Sequence, residues 1–167
     1  MNTLRYMALT LLAGSLCCNE INKNKPGSSE HTSIQTINTL RLQDLNQQPL
    51  DMNKYKGSIV FLNFWATWCK PCLEEMSSIE KAKTRLADPK VIFLLASNES
   101  TQQVIEFKTN HKSALEFVII ENMEDLNIQA LPTTFIYNAD GRLAFSETGY
   151  RKWDDSTSLE MIRKILK

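Results

Sequence analysis

The stretch that decides the fold is FWATWCKPCLEE, Phe64–Glu75, which follows directly on the apolar run SIVFLNF, residues 58–64. The run is almost continuously bulky and apolar, the pattern of a strand covered on both faces. Pro71 lacks an N–H and is tolerated in the first turn of a helix, where that donor has no intrahelical partner. A helix is therefore predicted to start beside Cys69 and to run to about Leu86. Unpaired backbone N–H groups and the dipole at a helix start favour a thiolate over a thiol, and Lys70 adds positive charge in the same sense. The thiolate is the attacking species in disulfide exchange, so Cys69 reads as the nucleophile. Cys72 stands one turn further on, placed to form a disulfide with Cys69 and to resolve a mixed disulfide, and it is expected to be the more buried of the two.

At about 100° per residue, Met76, Ile79 and Leu86 fall within roughly 40° of Cys72, which makes one apolar stripe. Glu75 lies at about −60°, inside the same core-facing sector, whereas Glu74 points to the opposite side. A carboxyl buried near two sulfurs has its pKa raised by desolvation. Protonated, Glu75 can supply or hold a proton during exchange; ionised, it opposes a second negative charge on sulfur. The competing reading is that Glu75 reaches out to solvent, as Lys83 on the same stripe must. Asn63 is the polar residue within SIVFLNFWA, a buried amide in need of partners, and an amide does not titrate. Proton handling therefore falls to Glu75.

Outward from this stretch, residues 91–96 (VIFLLA), 116–120 (EFVII) and 133–137 (TTFIY) read as further buried strands. Residues 34–50 alternate weakly around Asn46 and Pro49 and suggest a short strand or hairpin. A helix is predicted over residues 100–111, with Val104, Ile105 and Phe107 on one side, and a short helical turn over residues 123–129. Asp140-Gly141 marks a hairpin tip leading into a strand at residues 143–148, and an amphipathic helix over residues 158–166 closes the chain. Strands alternating with helices and ending in a hairpin give an α/β fold with a central mixed sheet flanked by helices.

The 167 residues suit one domain with an appendage. Nineteen Lys and Arg balance nineteen Asp and Glu, and the chain has no basic run, which argues against a nucleic-acid partner. Four cysteines, as Cys17/Cys18 and Cys69/Cys72, are too few for a disulfide-stapled scaffold. Residues 1–18 carry Arg5 and a short apolar stretch, shorter than a membrane span of about 20 residues and suited to a signal-peptide core. Three routes compete there: secretory cleavage near Ala13-Gly14-Ser15, lipidation at Cys17 or Cys18, or a retained anchor. Lipidation is favoured, although Leu16 departs from the small residue usual before such a cysteine, and all three routes export the domain. Residues 19–33, which include His31, read as a flexible polar linker. Residues 34–167 form the domain.

The run VFLNFWATWCKPCLEE resembles the thioredoxin superfamily, and within it the exported thiol–disulfide oxidoreductases of the TlpA/ResA type. Asn63 stands where thioredoxins usually carry a buried Asp, and Glu75 stands where the TlpA/ResA type carries its glutamate. The segment between Ala96 and Leu126 is similar to the strand and helix which that type inserts. Leu131-Pro132 matches the family's cis-proline motif; that match implies that Pro132 packs against the cysteine pair, blocks a metal from the sulfurs and presents the Leu131 backbone to an incoming peptide. Trp68, past the strand end, is then expected to shield the pair and join the docking surface.

The resemblance implies a reductase of disulfides in exported proteins, such as apocytochrome c, recharged by a membrane thiol donor; the expected location is the bacterial periplasm or cell envelope, with the protein membrane-anchored by lipid. It needs no cofactor beyond the Cys69–Cys72 disulfide. An oxidase or isomerase on the same fold is the alternative, since Lys70 and the helix start push the pair toward being an oxidant while Glu75 pushes back. A copper chaperone would want a nearby histidine ligand, and His111 has no evident route to Cys69. A peroxide-reducing relative would place a single peroxidatic cysteine in another context.

Overall fold

The computed structural model describes residues 36–167, so the signal segment with Cys17 and Cys18, and the linker with His31, lie outside the described residues. Six strands form one mixed sheet: β1 (Leu42–Gln43), β2 (Ile59–Phe64), β3 (Val91–Ser97), β4 (Glu116–Ile120), β5 (Thr133–Tyr137) and β6 (Leu143–Thr148). Their order is β1-β4-β3-β2-β5-β6. Strands β2, β3 and β4 run parallel, and β1, β5 and β6 each pair antiparallel to a neighbour. Three helices, α1 (Lys70–Leu86), α2 (Thr101–His111) and α3 (Ser156–Ile165), complete the architecture.

Strand β2 lies at the centre, and all six of its residues are buried. Alternation sends Ile59 and Phe61 into a core shared with α1, α2 and α3, where they meet Ile79, Val104 and Ile162. Val60, Leu62 and Phe64 face the other side, which is covered by short 3-10 turns that include Ile37, Met52, Tyr55 and Leu126. Side chains of this size contribute about 1.5–3 kcal/mol each when fully buried, which is why a strand with two covered faces has no room for alternation in polarity. By the same parity Asn63 turns toward α1, and that places it at the site.

Helix α1 begins as the sequence predicts. Cys69 is its N-cap, Pro71 sits in the first turn, and Ala87 ends it in the left-handed region at φ 46°. Cys72, Glu75, Met76 and Ile79 are all buried, and Lys83 is exposed with its ammonium on the Ala114 carbonyl. In α2, held by a Ser100/Gln103 capping box, the expected grouping needs a correction. Val104 and Phe107 are buried but Ile105 is exposed. Ile105 lies about 100° round from Val104 and about 200° from Phe107, so the three cannot share one face. Helix α2 and β4 are the strand and helix expected between Ala96 and Leu126.

The hairpin between β5 and β6 turns at Asn138–Gly141, where Asn138 Oδ1 accepts from the amides of Asp140 and Arg142. Gly141 has φ 74°, and a Cβ there would stand 2.9 Å from Ile37 Cγ2, so both backbone conformation and space require glycine. At the other end of β5 the Leu131–Pro132 peptide is cis, Pro132 is buried, and its carbonyl accepts from Gly149 N at 2.8 Å. The early segment is a minimal hairpin: β1 ends at Gln43, which bridges to Pro49, and Leu50 N donates to Leu42 O at 2.8 Å.

Candidate active site

Cys69 and Cys72 are joined in a disulfide, with their Cα atoms 5.3 Å apart. The pair sits where β2 hands the chain to α1, at the C-terminal end of a parallel strand, the usual place for a site in an open α/β sheet. The Cys69 N–H donates to Ala66 O at 3.1 Å, closing a turn whose middle residues are Thr67 and Trp68. The Cys72 N–H points at Cys69 Sγ, 3.3 Å away. On reduction the same N–H, one of the donors left free at a helix start, faces a thiolate. Cys72 is fully buried and Cys69 is 4% exposed, the expected order.

Glu75 lies one turn along α1 from Cys72 and is fully buried, so it does not reach solvent. Its Oε1 accepts from the Trp153 indole N–H and from the Arg151 backbone N–H at 3.2 Å. Its Oε2 accepts from Asn63 Nδ2 at 3.2 Å. Burial raises the Glu75 pKa from 4.5 to about 7, against the three hydrogen bonds, which favour the ionised form. The Glu147 carboxylate adds a small push in the same direction as burial. Asn63 Nδ2 also donates to Thr134 Oγ1 at 2.9 Å, while its Oδ1 is buried without a hydrogen-bond partner. The arrangement can hold a proton near the sulfurs at neutral pH.

Trp68 is 74% exposed, so it stands out from the turn into solvent. Leu131 is half-buried and packs against the cores on both faces of the sheet. The sequence brought Cys69, Cys72, Glu75 and Asn63 together correctly. It gave no signal for Trp153 and Arg151, which reach Glu75 from the connection between β6 and α3. His111 is occupied at its own helix end, stacked on Phe107 with Nδ1 against the Phe107 carbonyl at 2.9 Å. Among the described residues no group of three or more His, Cys, Asp and Glu is placed to hold a metal ion.

A closed Cys69–Cys72 ring at the mouth of a helix is the oxidised state of a thiol–disulfide oxidoreductase. Comparison with known proteins agrees. The AhpC/TSA family pattern matches residues 35–146. The thiol-disulfide oxidoreductase ResA of Geobacillus kaustophilus is 32% identical over 128 residues, 73% of this chain and 73% of that one. The thioredoxin-like protein YneN of Bacillus subtilis is 32% identical over 105 residues, 60% of this chain and 62% of its own length. A Chlorobium tepidum crystal structure, proposed to be the thiol:disulfide interchange protein DsbE, superposes with a TM-score of 0.68 at 17% identity, over 77% of this chain and 94% of that one, and shows the same fold. With its cysteine pair, its sheet order and this similarity in agreement, the chain belongs to the thioredoxin-like AhpC/TSA family.

Proposed function

We propose that this protein is a disulfide reductase acting on exported proteins, with Cys69 as nucleophile and Cys72 as resolving residue. One observation carries the exchange chemistry and the roles of the two cysteines, while the reductive direction follows the resemblance to the TlpA/ResA type: Cys69 Sγ caps a helix start and receives the Cys72 N–H, and the buried Glu75 carboxyl lies one turn beyond Cys72. In the reduced protein the Cys69 thiolate attacks a client disulfide, forms a mixed disulfide and expels one client thiolate. Cys72, once deprotonated, attacks Cys69 Sγ, closes the ring and expels the second client thiolate. Two electrons pass to the client, whose disulfide becomes a dithiol. Ionised Glu75 takes the Cys72 proton and releases it to the leaving client thiolate, returning to its ionised form. The cysteine pair is itself the redox group, with no further cofactor in the cycle.

Similarity to ResA, named a thiol-disulfide oxidoreductase, supports the reaction class. Export rests on the sequence of residues 1–18, with a lipid on Cys17 or Cys18 as the anchor. Apocytochrome c is the client type we favour and a membrane thiol protein the donor; an anchor would raise the frequency of their encounters. Trp68, the Leu131 backbone and Pro132 form the docking surface for the client. Lys70 and the helix start favour the opposite direction of electron flow, so the potential decides between reductase and oxidase.

Equilibration of the domain with glutathione and dithiothreitol buffers measures that potential. A reductase lies below about −230 mV and reduces insulin disulfides; a value near about −120 mV would make the protein an oxidant instead.

A further inference from the structure

The turn that delivers Cys69 is not held by the active-site residues alone. Glu99, in the connection between β3 and α2, is half-buried, and its carboxylate reaches across to the connection between β2 and α1. Its Oε2 accepts from Thr67 N at 2.7 Å and its Oε1 from Thr67 Oγ1 at 2.6 Å. Oε2 also accepts from Ser97 Oγ at 3.1 Å, and the same hydroxyl takes the Glu99 N–H at 3.2 Å. Ser97 is fully buried at the end of β3, so the clamp is rooted in the sheet. Beside it, Trp65 N donates to Ala96 O at 3.1 Å, extending the β2–β3 pairing up to the turn.

Thr67 occupies the second position of the Ala66–Cys69 turn and Trp68 the third. A carboxylate that binds both the amide and the hydroxyl of one residue fixes its position and its side-chain rotamer together, through charge-assisted bonds stronger than neutral ones. With Thr67 fixed, the backbone that carries Trp68 is held with it, and Cys69 enters α1 as its cap.

We propose that Glu99 is a positioning residue for thiol–disulfide exchange: by gripping Thr67 it sets the turn that presents Trp68 to the client and Cys69 to the helix mouth. The inference rests on the reading of the cysteine pair given above. It assigns Glu99 no contact with the reacting sulfurs and no proton to transfer. Its effect is on docking, so it belongs in KM before kcat.

The test compares wild type, Glu99→Ala, Thr67→Val and the double variant in insulin reduction, with hydrogen exchange read at the Thr67 amide. Glu99→Ala is expected to raise KM at least fivefold with kcat within twofold, and to speed exchange at Thr67 at least tenfold while the central strands keep their protection. The double variant is expected to be no worse than Glu99→Ala, because both changes open the same clamp. Wild-type KM in Glu99→Ala, or effects that multiply in the double variant, would overturn the proposal. If Glu99→Ala does not fold, Glu99→Gln, which keeps the size and loses one acceptor oxygen, takes its place with the same criteria. A wild-type protein that reduces no disulfide defeats the functional reading instead; in that case unchanged exchange at Thr67 in the variant would defeat the clamp separately.

Discussion

Trp153 gives its indole N–H to the carboxylate of Glu75, across 78 positions of sequence and with both side chains buried. The bond joins the segment before α3 to the inner face of α1. Because Oε1 already takes two donors, Trp153 and the Arg151 backbone, a proton arriving at Glu75 is directed to Oε2, beside Asn63. Charge on this group is therefore governed by residues from two other parts of the chain, β2 and the connection between β6 and α3.

Stability should fall as pH rises through the titration of Glu75. Its folded pKa of about 7 lies above the ordinary 4.5, so the native state binds the proton more tightly than the unfolded chain does. The benefit is complete below pH 4.5 and gone above about pH 7. At about 1.4 kcal/mol per pH unit, this difference amounts to about 3 kcal/mol. Glu75→Gln should flatten that part of the profile, measured by urea unfolding of the oxidised protein from pH 4 to 8. The amide is a fair replacement: its oxygen can keep the Trp153 and Arg151 donors, and Asn63 can turn its unpartnered Oδ1 toward the new N–H. An unchanged slope would show that burial does not raise the Glu75 pKa above its unfolded value.

Trp153→Phe removes a donor that stabilises the ionised carboxylate while keeping an aromatic ring in the core. The Glu75 midpoint should move further up, since that hydrogen bond lowers it. Losing a hydrogen bond to a charged group costs about 1.5–3 kcal/mol, so the variant should be destabilised most at pH 8 and least at pH 5. Equal costs at both pH values would assign the loss to packing against Phe61 and Phe145 alone.

The two cysteines should be distinguishable by trapping. Cys72→Ser leaves Cys69 without a resolving partner and should accumulate a mixed disulfide with a client protein. Cys69→Ser should accumulate none. Non-reducing electrophoresis with mass spectrometry of the adduct reads the difference, and adducts on Cys72 in the second variant would reverse the assigned roles.

The two tryptophans flanking the loop should separate binding from stability. Trp65 is fully buried with ring centres 4.6 Å from Phe107 and 5.3 Å from Phe117, so Trp65→Ala should cost about 3–5 kcal/mol. Trp68 is 74% exposed, so Trp68→Ala should stay within about 0.5 kcal/mol of wild type while raising KM for a protein disulfide. Denaturant midpoints and insulin-reduction kinetics check both.

Strand β2 and helix α1 were legible because each carries a local signal: an unbroken apolar run, a proline at a helix start, and a stripe at helical spacing. Glu75 was legible for the same reason, since its direction follows from its offset to Cys72. The grouping of Ile105 with Val104 and Phe107 failed because apolar neighbours in sequence were taken as neighbours in space. Trp153, Arg151 and Glu99 were illegible because their roles depend on where a loop returns. Periodicity places a side chain on a face but does not say which distant N–H or hydroxyl will meet it. The cis geometry at Pro132 came from resemblance alone and is present in the structure.

The distance in sequence between Glu75 and Trp153 also sets an order of assembly. A ribosome delivers the cysteine pair and its carboxylate long before the residues that enclose them, so a nascent chain displays two reactive thiols on a helix with no finished pocket beneath. The last turn of synthesis, carrying α3 and the segment before it, is what converts an ordinary surface acid into one that titrates near neutrality. Any chain ending ahead of Trp153 would keep its sulfurs and lose the environment that tunes them.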